Sequence, residues 1–187
     1  SSDLGKALSI TDIDPVDRYR YILDFKVHPI TIGTDDSKCY RLQHSSSENG
    51  FNFLNIGKDI PWKGSDMTGP GGGQKINMLK EYIKDLPYYD VVLFVDGYDV
   101  FSTENIEEIV RRYLEFKCKV VFACEETCWP DQSIAEYFPK SETPYRYLNS
   151  GLFIGRVDEI RNILSNHIND WDDDQLYYHR SEEHTSE

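Results

Sequence analysis

Val91-Val-Leu-Phe-Val-Asp96-Gly-Tyr-Asp99 is the stretch on which the reading of the chain turns. Five consecutive apolar residues without a polar break read as a strand buried on both sheet faces. Two carboxylates then follow, three residues apart, at the carboxyl end of that strand. In open α/β sheets, ligands bind at that edge. Two hard oxygen donors in a short turn can hold Mg2+ or Mn2+ and leave positions open for phosphate oxygens. The ordinary alternative is that Asp96 ends the strand and Asp99 caps a turn. A phosphatase of the D-x-D-G-T type is excluded, because position 98 is Tyr.

Working outward, short strands alternate with amphipathic helices. Residues 27–32 read as a strand, and Thr34-Asp35-Asp36 offers capping oxygens to a helix that Gly50 ends. A second strand is expected over 51–56, then a Gly- and Pro-rich loop over 61–73. Leu79, Tyr82, Ile83 and Leu86 give a helix over 74–86 its apolar stripe. Beyond the central strand, the pattern predicts a helix over 103–116 and strands over 119–123 and 152–155. A last helix carries Val157, Ile160, Leu164 and Ile168. This alternation predicts an α/β fold with helices on both faces of one sheet. Residues 1–26, with the turn signal Asp14-Pro15, read as a lead-in segment.

The composition narrows the partners. Of 187 residues, 33 are acidic and 20 basic, a net charge of -13. That balance argues against nucleic acid, which needs a basic face, and suits divalent cations where carboxylates converge. Nine Phe, three Trp and 13 Tyr are too many aromatics for a disordered chain, despite a mean hydropathy of -0.57. No apolar run exceeds residues 91–95, far short of a membrane span. Cys39, Cys118, Cys124 and Cys128 contain no C-x-x-C, so zinc-ribbon and thioredoxin chemistry is not expected. The Cys124/Cys128 spacing suits a stapled loop in an oxidising compartment or a pair of ordinary thiols. The last residues, Arg180-Ser-Glu-Glu-His-Thr-Ser-Glu187, match one reading frame of a common sequencing adapter. Residues 181–187 are therefore read as a non-native tail. Removing its three glutamates from 33 leaves 30 acidic residues against 20 basic ones, or -10.

Further candidates lie along the chain. Thr68-Gly-Pro-Gly-Gly-Gly-Gln-Lys75 opens into a helix whose N-terminal amides favour anions, and Lys75 adds charge suited to a diphosphate. It lacks the Gly-Lys-[Ser/Thr] of a P-loop, and a plain flexible loop is the alternative. Asp170-Trp-Asp-Asp-Asp174-Gln175 is either a solvated acidic face or a source of a carboxylate for a sugar or acceptor hydroxyl. Trp129, in Cys128-Trp-Pro130, is an apolar plug or a stacking platform for a sugar ring. Asn149, in Asn149-Ser-Gly151, can read hydroxyls or simply make a turn. No H-x-D occurs, so the iron site of two-His-one-carboxylate oxygenases is not in this stretch.

In order, Gly71-Gly-Gly-Gln-Lys75, Phe94-Val-Asp-Gly-Tyr-Asp-Val100, Cys128-Trp-Pro130, Tyr147-Leu-Asn-Ser-Gly151 with Phe153-Ile-Gly155, and Asp172-Asp-Asp-Gln-Leu176 form five landmarks. With them the chain, over about residues 27–179, resembles the N-terminal glycosyltransferase domain of procollagen lysyl hydroxylases/glycosyltransferases. The resemblance implies a GT-A-like, Rossmann-like fold with a mostly parallel sheet, C-terminally truncated after residue 180. It implies a donor UDP-sugar, UDP-galactose or UDP-glucose, used with Mn2+ to glycosylate hydroxylysine of collagen in the endoplasmic reticulum lumen or after secretion. Asp96 and Asp99 then match the metal-binding carboxylates, and Tyr98 contacts the nucleotide. Thr31, Ile32 and Thr34 stand in the first strand's uridine-binding turn, with Lys75 and Asn149 also on the donor side. Trp129, Asp173 and Asp174 match residues of sugar transfer. Gly97 replaces a relative's Ser without obvious cost. The family's third metal ligand, a histidine, lies further downstream. Fe2+ and 2-oxoglutarate belong to a hydroxylase domain absent from this stretch, and the family allows a homodimer. The alternative function is a non-catalytic module that serves a lysyl hydroxylase as a structural or dimerisation partner.

Overall fold

A computed structural model describes residues 25–65 and 70–182. The Asp14-Pro15 turn, most of the lead-in, Thr68 and Gly69 of the glycine-rich loop, and residues 183–187 lie outside them. Five strands form one sheet: β1 (Val27–Ile32), β2 (Leu54–Asn55), β3 (Val91–Asp96), β4 (Val120–Glu125) and β5 (Tyr147–Arg156). Five α-helices accompany them: α1 (Tyr40–Glu48), α2 (Gly73–Ile83), α3 (Ile106–Glu115), α4 (Val157–Ile163) and α5 (Asp174–Glu182). The strand order is β2-β1-β3-β5-β4. β1 pairs in parallel with β2 and β3, whereas β5 runs antiparallel to both β3 and β4. Four strands therefore point one way, as expected of a mostly parallel α/β sheet, and β5 is the reversed one.

Residues 91–95 are all buried, as a strand covered on both faces requires. Val92 and Phe94 point into one core with Ile76, Leu79 and Ile83 of α2, Val157 and Ile160 of α4, and Tyr178 of α5. Val91, Leu93 and Val95 point into the other core, with Leu42 of α1 and Tyr113 of α3. Phe94 stacks on Phe153, its partner on β5, with ring centroids 4.9 Å apart.

Two strands depart most from their expected extents, while β3 and β4 shift only by one or two residues at their ends. Only Leu54 and Asn55 of the stretch 51–56 pair in the sheet. Phe51 and Phe53 are buried, but the Phe53 carbonyl accepts from the Gln43 side chain at 3.0 Å instead of joining a ladder. β5 begins five residues earlier than expected. Its register on β4 jumps from Phe122 opposite Phe153 to Ala123 opposite Asn149, leaving Ser150, Gly151 and Leu152 as a hump. α4 stops at Ile163, short of Ile168, although Leu164 and Ile168 remain in the core.

The segment 169–174 is sewn onto the N-terminus of α2. Gly73 N donates to the Asp172 carbonyl at 2.9 Å, Gln74 N to the Asp170 carbonyl at 2.9 Å, and Asp174 N to the Gly71 carbonyl at 3.1 Å. This contact explains the glycine run. A Cβ on Gly73 would lie 2.0 Å from the Asn169 carbonyl oxygen, and Gly72 (φ 105) would press one against the Asp174 carboxylate. Gly73→Ala is expected to cost about 3 kcal/mol, the upper end for overpacking, because the obstructing atom is backbone. Denaturant unfolding of the intact protein reads this directly, and a loss below about 1 kcal/mol would show that the seam is not tight.

Candidate functional site

The carboxyl ends of β1, β2, β3 and β4 and the beginning of β5 lie along one sheet edge, and the candidate residues gather there. Asp96 is the last residue of β3. Gly97 then turns the chain beneath Tyr98, and a Cβ at Gly97 would meet the Cys39 sulfur at 2.8 Å and Thr31 Oγ1 at 3.1 Å. Serine fits there only if the thiol moves, so the glycine is less freely exchangeable than the sequence suggests. Asp99 is exposed three residues after Asp96.

Tyr98 builds a shelf beside this turn. Its hydroxyl shares a 3.2 Å hydrogen bond with Thr34 Oγ1 and accepts from Asp35 N at 3.0 Å. The Lys38 ammonium lies 5.6 Å from the ring centroid, and the ring remains 42% exposed. Thr31 and Ile32 are placed differently, since both side chains are buried. Thr31 donates its hydroxyl to the Val95 carbonyl at 2.8 Å, which ties β1 to β3 under the shelf. Sequence reasoning missed Asn55 here. Its side chain accepts from Gly33 N at 3.0 Å and donates to Gly33 O at 2.8 Å, fixing the turn after β1.

Lys75 joins three distant elements. From the first turn of α2, its ammonium lies 3.0 Å from Asp96 Oδ1 and 2.7 Å from Asp174 Oδ2. The side chains of Lys75, Asp174 and Asp96 are 17%, 12% and 34% exposed, so this is a largely buried cluster opening on the Asp96 side. Burial opposes the lysine's charge, but the carboxylates of Asp96 and Asp174 outweigh it and hold the ammonium more firmly protonated than usual. Burial pushes the Asp96 carboxyl upward. Lys75 acts against that shift, while Asp174 and Asp99 add to it. One ammonium shared between two carboxylates leaves a net negative charge, and Asp99 adds another.

The acidic run is not a solvated face. Asp170 pairs with Lys63 at 2.7 Å and accepts from Asn77 at 2.8 Å. Asp172 accepts from the Asn169 backbone and side chain, both at 2.9 Å. Asp173 caps α5 by accepting from Leu176 N at 2.8 Å. Its carboxyl is pushed up chiefly by burial, with the Asp174 charge adding to this and the capping amide opposing it. The amides that open α2 are likewise taken by the carbonyls of Asp172, Asp170 and Gly72. The anion-binding helix start considered from the sequence is therefore occupied by the protein itself.

Across the edge, the β5 hump approaches Asp96. A Cβ on Gly151 would lie 2.8 Å from Asp96 Oδ2 and 3.0 Å from Asn149 Oδ1, and Asn149 accepts from Gly151 N at 2.9 Å. Asn149 thus borders the metal candidate. Trp129 is 53% exposed on the loop after β4. Gln175 escaped the sequence reading although it lies in a quoted motif. It is buried and hydrogen-bonds to Ser150, Glu125 and the Trp129 carbonyl.

The structure therefore brings together Asp96, Lys75, Asp174 and Asn149, sets Tyr98 and Thr34 on an adjoining shelf, and buries Thr31 and Ile32 beneath it. Hard oxygen donors with net negative charge suit Mg2+ or Mn2+, and the missing Cβ of Gly151 keeps space beside Asp96 Oδ2. Among the described residues, no group of three or more His, Cys, Asp or Glu is arranged to hold a metal ion. Asp96 and the exposed Asp99 are the carboxylates that would hold such an ion. None of the helices described is long and apolar enough to cross a membrane.

This mixed α/β sheet, with its acidic pair at the carboxyl edge, has a GT-A-like architecture. The chain belongs to the PLOD GT domain family, whose model matches residues 24–181. It is 38% identical over 159 residues to procollagen-lysine,2-oxoglutarate 5-dioxygenase of Drosophila melanogaster, covering 82% of this chain and 22% of that protein. Over 158 residues it is 37% identical to the multifunctional procollagen lysine hydroxylase and glycosyltransferase of Caenorhabditis elegans, covering 80% and 21%. The human multifunctional procollagen lysine hydroxylase and glycosyltransferase LH3 is 34% identical over 163 residues, covering 83% and 22%. The chain thus spans about a fifth of the length of these relatives.

Removing Lys75 leaves Asp96 and Asp174 facing one another without a cation. Lys75→Met is expected to destabilise the protein by about 3 kcal/mol, the low end for a broken buried pair because Asp96 is partly exposed. Adding Asp174→Asn should recover part of that loss, since it removes the stranded charge. A double-mutant cycle in denaturant checks this, and strictly additive losses would show that the two residues are not coupled.

Proposed function

We propose that this chain is the donor-binding part of a Mn2+-dependent glycosyltransferase that uses UDP-galactose or UDP-glucose and glycosylates hydroxylysine of collagen. Membership in the PLOD GT domain family supports the reading, as do relatives named for procollagen lysine modification and glycosyl transfer. The same names favour the lumen of the secretory pathway, including the endoplasmic reticulum, as the place of action. The observation that carries it is the Asp96 carboxylate at the sheet edge, oriented by Lys75 and flanked by Asp99, the Tyr98 shelf and Asn149.

On this reading, Asp96 and Asp99 hold the metal ion. Bound there, Mn2+ supplies positive charge that stabilises a departing nucleoside diphosphate. Tyr98 presents its exposed ring to the uracil, and Thr34 and Asp35 fix its hydroxyl so that the ring stays in place. Thr31 and Ile32 act from below by shaping the floor. Lys75 opposes the upward push of burial on the Asp96 carboxyl, aims it, and lies close to the diphosphate. Asn149 reads sugar hydroxyls beside Asp96, and Trp129 offers an apolar face to the sugar or acceptor. Asp173 and Asp174 close the acceptor side, with Asp173 capping α5 and Asp174 holding Lys75.

Asp99 is exposed, so its substitution should leave the fold intact. In the intact protein, Asp99→Ala is expected to weaken Mn2+-dependent UDP binding by about tenfold or more, as loss of one of few metal ligands does. The thermal transition should not move. Calorimetry with UDP, in the presence and absence of Mn2+, reads the effect. Unchanged UDP affinity and unchanged Mn2+ dependence would overturn the assignment and favour a non-catalytic module.

A further inference from the structure

Gln175 is a buried amide whose hydrogen-bonding capacity is fully used by three other elements. Its Nε2 donates to Glu125, the last residue of β4, and to the Trp129 carbonyl at 3.0 Å. Its Oε1 accepts from Ser150 N at 3.2 Å and from Ser150 Oγ at 3.4 Å. An amide supplies two donors and one doubly accepting oxygen, and all are engaged here. Only 6% of the residue is exposed, so water cannot stand in for a lost partner without rearrangement.

What these partners carry gives the side chain its importance. Ser150 lies in the β5 hump next to Gly151, which abuts the Asp96 carboxylate and donates its amide to Asn149. Trp129 stands on the opposite loop. Gln175 itself follows Asp174, which holds Lys75 and through it Asp96. The amide is thus a fixed spacer between the Trp129 loop and the donor edge. Its polarity is essential, because a glutamate of the same shape would turn carboxylate oxygens towards the Glu125 carboxylate and the Trp129 carbonyl.

We propose that Gln175 is a positioning residue that sets the place of Trp129 relative to Asp96 and Asn149, and so aligns the acceptor side of the site with the donor side. The proposal rests on the glycosyltransferase reading above. Gln175 touches neither donor nor acceptor. It acts through the Trp129 loop and the β5 hump, so its loss should slow transfer while leaving nucleotide binding in place.

The test uses the intact protein with UDP-sugar, Mn2+ and a hydroxylysine peptide. Gln175→Glu is expected to lower kcat by about tenfold or more, since a misplacement of about 1 Å can cost about a hundredfold. The Kd for UDP with Mn2+ should stay within about twofold of wild type. Adding Glu125→Gln restores a donor opposite the new carboxylate and should recover part of kcat. Hydrogen exchange gives a readout independent of activity: the amides of Ser150, Thr127, Cys128, Trp129 and Asp131 should exchange faster in Gln175→Glu. Should that variant not fold, Gln175→Asn, which keeps the amide but falls one methylene short, carries the same expectations. Unaltered exchange at these amides, unchanged kcat, parallel loss of UDP affinity and kcat, or no recovery in the double variant would each overturn the proposal. A wild-type protein that binds no UDP with Mn2+ and transfers no sugar would instead overturn the glycosyltransferase reading. The exchange data alone would then decide whether Gln175 holds the Trp129 loop.

Discussion

The Lys75 ammonium, held between Asp96 and Asp174, is the contact on which the arrangement of this edge depends. It joins the first turn of α2, the end of β3 and the start of α5 in one point of charge. A buried ion pair contributes little net stability, because desolvation consumes most of its attraction. Its consequence here is geometric. Lys75 reaches both carboxylates only if α2 starts directly against segment 169–174, and that approach tolerates no side chain at Gly72 or Gly73. The glycine run therefore serves the ion pair through close packing.

The same seam redistributes polarity. The opening amides of α2 are satisfied by carbonyls of the acidic run, and the carboxylates of that run are occupied by Lys63, Asn77, Asn169, Lys75 and the capping amide of α5. What looks like a reservoir of free negative charge is mostly internal mortar. Lys75 shared between Asp96 and Asp174 leaves one net negative charge beside the Gly151 hump, and the exposed Asp99 adds another.

How far the chain discloses this varies by element, for physical reasons. β3 is legible because burial on both faces leaves an unbroken apolar run, and Asp96 at its end, with Asp99 three residues on, stands out as a candidate site. α2 and α3 are legible from their stripes. The 51–56 stretch misleads because Phe51 and Phe53 are buried from a loop, and burial alone mimics a strand. The β5 hump has no periodic signature, since three inserted residues look like any turn before a strand. The glycine loop reads as a loop, but its reason lies about a hundred residues away in Asn169 and Asp174. Asn55 and Gln175 are invisible for the same reason: a side-chain amide that spans elements matters through partners that local sequence does not reveal.

The charge balance at the edge bears on how a nucleotide could enter it. Asp96, Asp99 and Asp174 carry three negative charges against the single positive charge of Lys75. A like-charge contact at about 4 Å costs ~1 kcal/mol in water and ~4 kcal/mol near a protein surface. A bare diphosphate approaching this edge would meet that repulsion several times over, and the first-turn amides of α2 that could have offset it are already engaged. On the proposed reading, the donor is therefore accepted with its divalent cation. Lys75 then has two tasks that do not compete: it opposes the upward push of burial on the Asp96 carboxyl, and it leaves enough charge behind to require the cation.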